Sequence, residues 1–385
     1  GRAILGGGSV ELAHRRPADR RFDCSRGKHA GADGARGRGP GDGGTRYAIV
    51  GTYLGGISVF TIDPRDGHLT PLPGSPFARG AHLYSIAVHP TAPWIYAVDL
   101  DASEVVGFRL APADGGLRAL PGSPVHLTGF PHTLAVDPLG RFVYVGISTG
   151  SVPLAGSIGV YGVDPLSGSL SELAGSPTPT ASEPAAITLD SSGRFLYLSQ
   201  AAPGIWVYGV DAGSLSEVAG SPFASTPPSA VRGGSMVIHP GGRFLYAGRD
   251  DLNGFAIEPD TGALAPLAGA PFATNTGGDP GAFTLALDPS GRFLYASVMG
   301  TNRLAAFSID AGSLSPVPGS PFASPSAPYS VATEATGRFL YVAGDFGELA
   351  GFSIDAGTGA AVPFTGPNLP LPGGQPQVVI GPGPG

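Results

Sequence analysis

A segment of the form Gly-Arg-Phe-Leu-Tyr returns along the chain at nearly constant spacing, and this repeat limits the fold more than any other feature. Its tyrosines are Tyr144, Tyr197, Tyr246, Tyr295 and Tyr341, with degenerate copies at Tyr47 (RYAIVG) and Tyr96 (WIYAVD). Successive spacings from Tyr47 are 49, 48, 53, 49, 49 and 46 residues, which makes seven copies. A second marker, Gly-Ser-Pro-Phe or a variant, follows each tyrosine, with its glycine at Gly74, Gly122, Gly175, Gly220, Gly269, Gly319 and Gly366. Two markers in one phase define a repeat protein, in which each unit buries its apolar faces only against its neighbours.

Within each unit four short apolar segments alternate with turn residues. In the sixth, Phe283–Asp288, Phe293–Val298 and Leu304–Ile309 are predicted strands. Leu314–Phe322 carries prolines, which cannot donate to a ladder, so it is predicted as the outer edge strand. Aligning the inner strands gives one column of mostly small residues, Ser85, Thr133, Ala186, Ser235, Thr284, Ser330 and Val378. The next column is large: Ile86, Leu134, Ile187, Met236, Leu285, Val331 and Val379. Small faces nesting large ones suit sheets stacked face to face. The expected fold is therefore all-β, a seven-bladed β-propeller of four-stranded antiparallel blades over residues 46–385. Its first copy begins on a second strand, at Arg46, and the missing inner strand is predicted at Gln377–Ile380. That C-terminal strand should complete the first blade and close the ring, leaving no open sheet edge.

Composition supports many short strands: Gly 63 and Pro 40 occur beside 42% hydrophobic residues, a mixture unlike disorder. Residues 1–45 are predicted as a disordered basic Gly/Arg-rich tail. Through Arg46 that end holds ten basic residues, including the one lysine, Lys28, against five acids. The remainder has twelve arginines against twenty-four acids, which gives no footprint for nucleic acid. The single cysteine, Cys24, lies in the tail, so the body has no thiolate nucleophile and no Cys-containing zinc site. No run approaches the roughly 18 apolar residues of a membrane-spanning helix. A monomer with no cofactor and no metal is expected; the compartment stays open.

Functional residues should break the repeat and gather at one mouth of the central channel. That mouth receives the start of each inner strand and the loop between second and third strands. The strand starts supply His82, Tyr84, His132, Glu183, Arg232, Asp279, Tyr329 and Gln377. The loops supply Asp99, Asp101, Arg249, Asp250, Asp251, Asn302, Asp345 and Glu348. Of these, His132, His82 and Glu183 are the catalytic candidates, while Arg232, Arg249, Tyr84, Tyr329, Asp279 and Gln377 are candidates for binding substrate. His89 and His239 replace the Asp of an Asp-Pro turn at the opposite end and read as structural, as do the repeated Gly-Arg pairs. No Walker loop or His-Glu-x-x-His motif occurs.

From Ile49-Val50-Gly51-Thr52-Tyr53 through the Gly-Ser-Pro-Phe and Asp-Pro-Ser-Gly-Arg-Phe-Leu-Tyr units, the chain resembles the lactonase-type propellers over about residues 46–381. These include 6-phosphogluconolactonase-like and YVTN-repeat proteins. The resemblance implies His, Arg and Glu in the mouth. The matching places read Gly80-Ala81-His82-Leu83-Tyr84 and Phe130-Pro131-His132-Thr133, which carry over His82 and His132. The Pro-Arg-His segment of enzymatic members does not occur.

Two functions fit. One is a binding propeller with degenerate catalytic motifs, whose mouth takes a protein or glycan. The other is a hydrolase of the 6-phosphogluconolactonase type acting on a small-molecule sugar lactone or its phosphate. In it His132 or His82 would be the base, and Arg232 or Arg249 would hold phosphate and oxyanion. On the residues alone the binding reading comes first.

Overall fold

Each repeat folds as a small antiparallel sheet, and seven such sheets stand around one axis in a computed structural model of the chain. It describes residues 46–78, 81–111, 116–150, 155–224, 235–248, 252–274 and 284–382. The tail predicted over residues 1–45 lies outside the described residues. The inner strands of blades two to seven are Leu83–Val88, Phe130–Val136, Pro184–Leu189, Ser235–Ile238, Thr284–Leu287 and Pro328–Thr333. Each is followed outward by its second, third and outer strands. The first blade takes its inner strand from the far end of the chain. Gly374–Pro382 pairs antiparallel with Arg46–Tyr53, placing Ala48 opposite Ile380 and Val50 opposite Val378. The predicted closure is thus the observed one.

The outer strand differs from its prediction. In the sixth blade Ser313–Pro316 and Phe322–Ala323 are separate strands that pair with opposite ends of Arg303–Asp310. Between them lies Gly-Ser-Pro, where the proline interrupts the ladder. The serine compensates: Ser320 Oγ accepts the Ala306 N–H at 2.9 Å. Ser75, Ser123, Ser176 and Ser221 do the same for Val59, Gly107, Val160 and Val207. The second sequence marker is therefore a side-chain patch for an unpaired strand N–H.

Two series of polar bolts join blade to blade. The repeat tyrosine lies fully buried on the second strand, and its hydroxyl donates to a turn glycine carbonyl in the next blade. Tyr96 reaches Gly168, Tyr246 reaches Gly312, Tyr295 reaches Gly359 and Tyr341 reaches Gly67, at 2.6–2.9 Å. Burial pushes these phenols well above their ordinary range. The second series uses the column of small residues. Ser85, Ser235, Thr284 and Ser330 accept the backbone N–H of Leu134, Leu285, Val331 and Val378 in the next inner strand. At the closure Val378 has no hydroxyl, and its neighbour Gln377 accepts the Ile86 N–H instead, at 3.2 Å. The sequence column is thus a hydrogen-bond device as well as a packing one.

The turn after each inner strand is closed by its acid. Asp137, Asp190, Asp288 and Glu334 accept backbone N–H groups within their own turns. His89 does the same work with Nδ1, which accepts from Thr91 and Ala92, while Nε2 donates to Gly140 of the next blade. His239 copies this with Gly241 and Gly291. Only a neutral imidazole can accept at Nδ1 and donate at Nε2. Burial holds His89 below the usual histidine range, against the opposing pull of Gly140 and Asp137.

Two outcomes follow from these contacts. Truncation after Phe364 removes Gly374–Pro382 and bares the Arg46–Tyr53 edge, so the product should aggregate or melt far below the full chain; an unchanged melt would refute closure. His89 should protonate in the unfolded chain before it does in the fold, so stability falls as pH drops below about 6.5. His89→Asp, which installs the residue found in other blades, should flatten that acid limb in melts between pH 7.5 and 5.5, the two values chosen around that ordinary histidine range.

Candidate functional site

At the upper mouth the strand register shifts at one recurring position. In the third blade Gly146 pairs with Thr133 but Ile147 with Pro131, leaving His132 as the extra residue of a β-bulge. Tyr84, Ala185 and Tyr329 occupy the same place in the second, fourth and seventh blades. A bulge bends its strand and re-aims the side chain it carries. The backbone thus singles out Tyr84, His132 and Tyr329.

His132 meets Glu183 across the seam between the third and fourth blades, Nε2 to Oε1 at 2.8 Å. Glu183 precedes Pro184, which favours an extended backbone at the glutamate. Its carbonyl accepts the Ala201 N–H at 3.0 Å, and the adjoining Ser182 N–H donates to Gln200 Oε1 at 2.6 Å. Close approach is possible because a Cβ on Gly146 would lie 2.7 Å from Pro184, and one on Gly156 would lie 2.3 Å from it. The Ser148 hydroxyl also bonds Glu183. The hydrogen bond from His132 holds the Glu183 carboxyl below the usual carboxylate range, with burial opposing. Both partners remain partly open, His132 with 16% and Glu183 with 23% of its side chain exposed. Tyr84 meets the imidazole edge-on at 5.7 Å between ring centroids. Because Nε2–H faces the carboxylate, the other nitrogen is left as the acceptor. That Nδ1 is closed off from solvent and has no hydrogen-bond partner among the described residues.

The other predicted residues divide. His82 is not joined to His132: its Nδ1 bonds Asp101, its ring lies on Tyr53 at 4.5 Å, and its N–H donates to Asp99. It forms a second histidine–carboxylate pair over the first and second blades. Tyr84, Tyr329 and Gln377 are buried beneath the rim, Gln377 on the closure bond already described. Asn302 and Asp345 accept backbone N–H groups of Ala327 and Gln375, and Glu348 accepts from Asn368. Arg232, Arg249, Asp279, Asp250 and Asp251 lie outside the described residues. Sequence reasoning missed Ser148 and Gln200, polar residues that end the second strands of the third and fourth blades, and Ser148 carries the further signal of a Gly-x-Ser-x-Gly string, Gly146-Ile147-Ser148-Thr149-Gly150.

A cavity of about 320 Å³ opens at the opposite end of the channel, walled by Pro90, Pro138, Pro240 and Pro289. On its wall the Asp288 carboxylate accepts the Ser290 and Phe293 N–H groups of its own turn, and His239 bonds Gly241 of its turn and the Gly291 carbonyl of the next blade. Among the described residues no helix is long and apolar enough to cross a membrane, and no three His, Cys, Asp or Glu side chains are placed to hold a metal ion.

The family described as lactonase, 7-bladed beta-propeller, matches residues 78–275 and 236–374. No curated protein matches the chain. Among solved structures, a candidate 6-phosphogluconolactonase of Bacteroides uniformis is 19% identical with a TM-score of 0.71, covering 87% of this chain and 99% of its own. The periplasmic gluconolactonase of Pseudomonas aeruginosa is 22% identical with a TM-score of 0.65, over 87% and 99%. A protein of Lactobacillus plantarum is 19% identical with a TM-score of 0.67, over 87% and 99%. At these identities the likeness is one of fold.

Removing the imidazole should leave Glu183 with the burial that opposes its ionisation. His132→Phe is therefore expected to raise the Glu183 pKa, read from carboxyl carbon shifts in a pH titration. An unmoved titration would break the pairing.

Proposed function

Because the chain belongs to the lactonase family of seven-bladed β-propellers, we propose that it hydrolyses a sugar lactone at the Glu183–His132 pair. The observation that carries this reading is that pair. A binding mouth has no need of an acid–base couple held across two blades and left partly open, and this moves the choice from binding to hydrolysis. Fold alone would not.

In the proposed reaction Glu183, ionised at neutral pH, takes a proton from a water at the mouth. His132 donates Nε2–H to the same carboxylate and keeps it in line. The water oxygen bonds to the lactone carbonyl carbon, and the charge that develops passes to the carbonyl oxygen. The carbonyl re-forms as the ring C–O bond breaks, its electron pair leaving on the ring oxygen, which takes the proton held by Glu183 to give the hydroxy acid and restore the carboxylate. Arg232 and Arg249 are assigned to the oxyanion and to a substrate phosphate, where a guanidinium binds bidentately. Tyr84 packs the imidazole from below. Lactones are reactive esters, so a weak but well-placed base is sufficient.

The assay is hydrolysis of D-glucono-δ-lactone and its 6-phosphate above the spontaneous rate. Glu183→Gln and His132→Phe should each lower kcat about 100-fold or more, with the fold intact by circular dichroism. Arg232→Ala should raise KM for the phosphorylated lactone more than for the plain one. Lack of turnover on either lactone would return the mouth to the binding reading.

A further inference from the structure

Both bolt series lapse on the two sides of the fourth blade. At the seam between the third and fourth blades Thr133 occupies the hydroxyl column, yet its Oγ1 has no hydrogen-bond partner among the described residues. The tyrosine of that seam, Tyr144, is likewise buried without one. At the next seam the column residue is Ala186, which has no hydroxyl, and the Tyr197 hydroxyl has no hydrogen-bond partner among the described residues. Tyrosine and column residue lie on different strands, so their coincident failure on both sides of the fourth blade is a property of the seams.

A third set of contacts separates the two seams. Arg194 donates to the carbonyls of Pro259 and Asp260, which ties the fourth blade to the fifth. Arg292 and Arg338 tie the later blades in the same way. Arg141, which would serve the seam between the third and fourth blades, folds back on Asp137 of its own turn at 2.7 Å. Across that seam the described residues place apolar packing, such as Tyr144 and Val160 against Leu196 and Leu198, and the bonds of Glu183 to His132 and Ser148. Apolar contacts resist separation but tolerate sliding far better than directional bonds do.

We propose that the seam between the third and fourth blades is the movable joint of the ring, and that Glu183 is its latch. The carboxylate takes the place of the missing bolts, holding the fourth blade to the third at the mouth alone. The inference deepens the reading above, since a joint at this seam sets how Glu183 lies relative to His132. It does not need turnover to be tested, so its failure and that of the lactone assay are separable.

The test is blade-resolved hydrogen exchange by mass spectrometry on the full chain. Amides of Pro184–Leu189 and Phe195–Gln200 should exchange about tenfold faster than those of Pro328–Thr333 and Phe339–Gly344, because opening is local. Glu183→Ala should speed the fourth blade by about another tenfold and leave the seventh unchanged. Equal protection of the fourth and seventh blades in the unaltered protein would overturn the proposal. So would a Glu183→Ala effect spread evenly over the ring.

Discussion

The face-to-face contact between neighbouring blades is the interaction on which everything else depends. A four-stranded sheet has two apolar faces and cannot bury either alone, so each blade is stable only between two others. Seven of them close because the last strand of the chain lies beside the first. Dispersion and burial hold the faces together, while the tyrosine hydroxyls and the column of Ser and Thr residues set their register. Each such bond removes a buried polar group from the list of those left unsatisfied, which would otherwise cost about 1–3 kcal/mol.

The same construction places the site. Inner strands begin at the upper mouth, and a bulge repeated at one position turns Tyr84, His132 and Tyr329 out of the regular alternation. Of the three, His132 finds a carboxylate in the adjoining blade. The pair lies at a seam where both bolts lapse, so the histidine–carboxylate bond of the proposed site stands where other seams carry tyrosine and column hydroxyl bonds. Local conflicts between foldability and function concentrate in this way at working sites.

Most of the fold was legible in the sequence because the repeat is periodic and its markers are structural. Tyr341 and Ser320 could be found by spacing since each performs one task at a fixed register. The closing strand was legible from phase alone. The site was legible only as a set of residues. His132, Glu183, His82 and Gln377 all stood out as breaks in the pattern, but which of them would meet depends on bulges and on glycines such as Gly146 and Gly156, which carry no signal in a chain so rich in glycine. Gln377, a candidate for binding substrate, accepts the Ile86 N–H of the second blade, because Val378 cannot accept the bond that its column makes elsewhere. His82 carried the family resemblance as strongly as His132 did, yet its carboxylate is Asp101, in the loop of its own blade.

The most direct measurement of the account is a set of Tyr→Phe substitutions in successive blades, each followed by equilibrium unfolding. Phenylalanine keeps the ring and removes the hydroxyl, so Tyr96→Phe, Tyr246→Phe, Tyr295→Phe and Tyr341→Phe should each lose about 1–2 kcal/mol by stranding a glycine carbonyl. Tyr144→Phe and Tyr197→Phe should be neutral or slightly stabilising, because no bond is lost. Equal losses at all six positions would contradict the claim that the tyrosine bolts made by Tyr96, Tyr246, Tyr295 and Tyr341 lapse on both sides of the blade that carries Glu183.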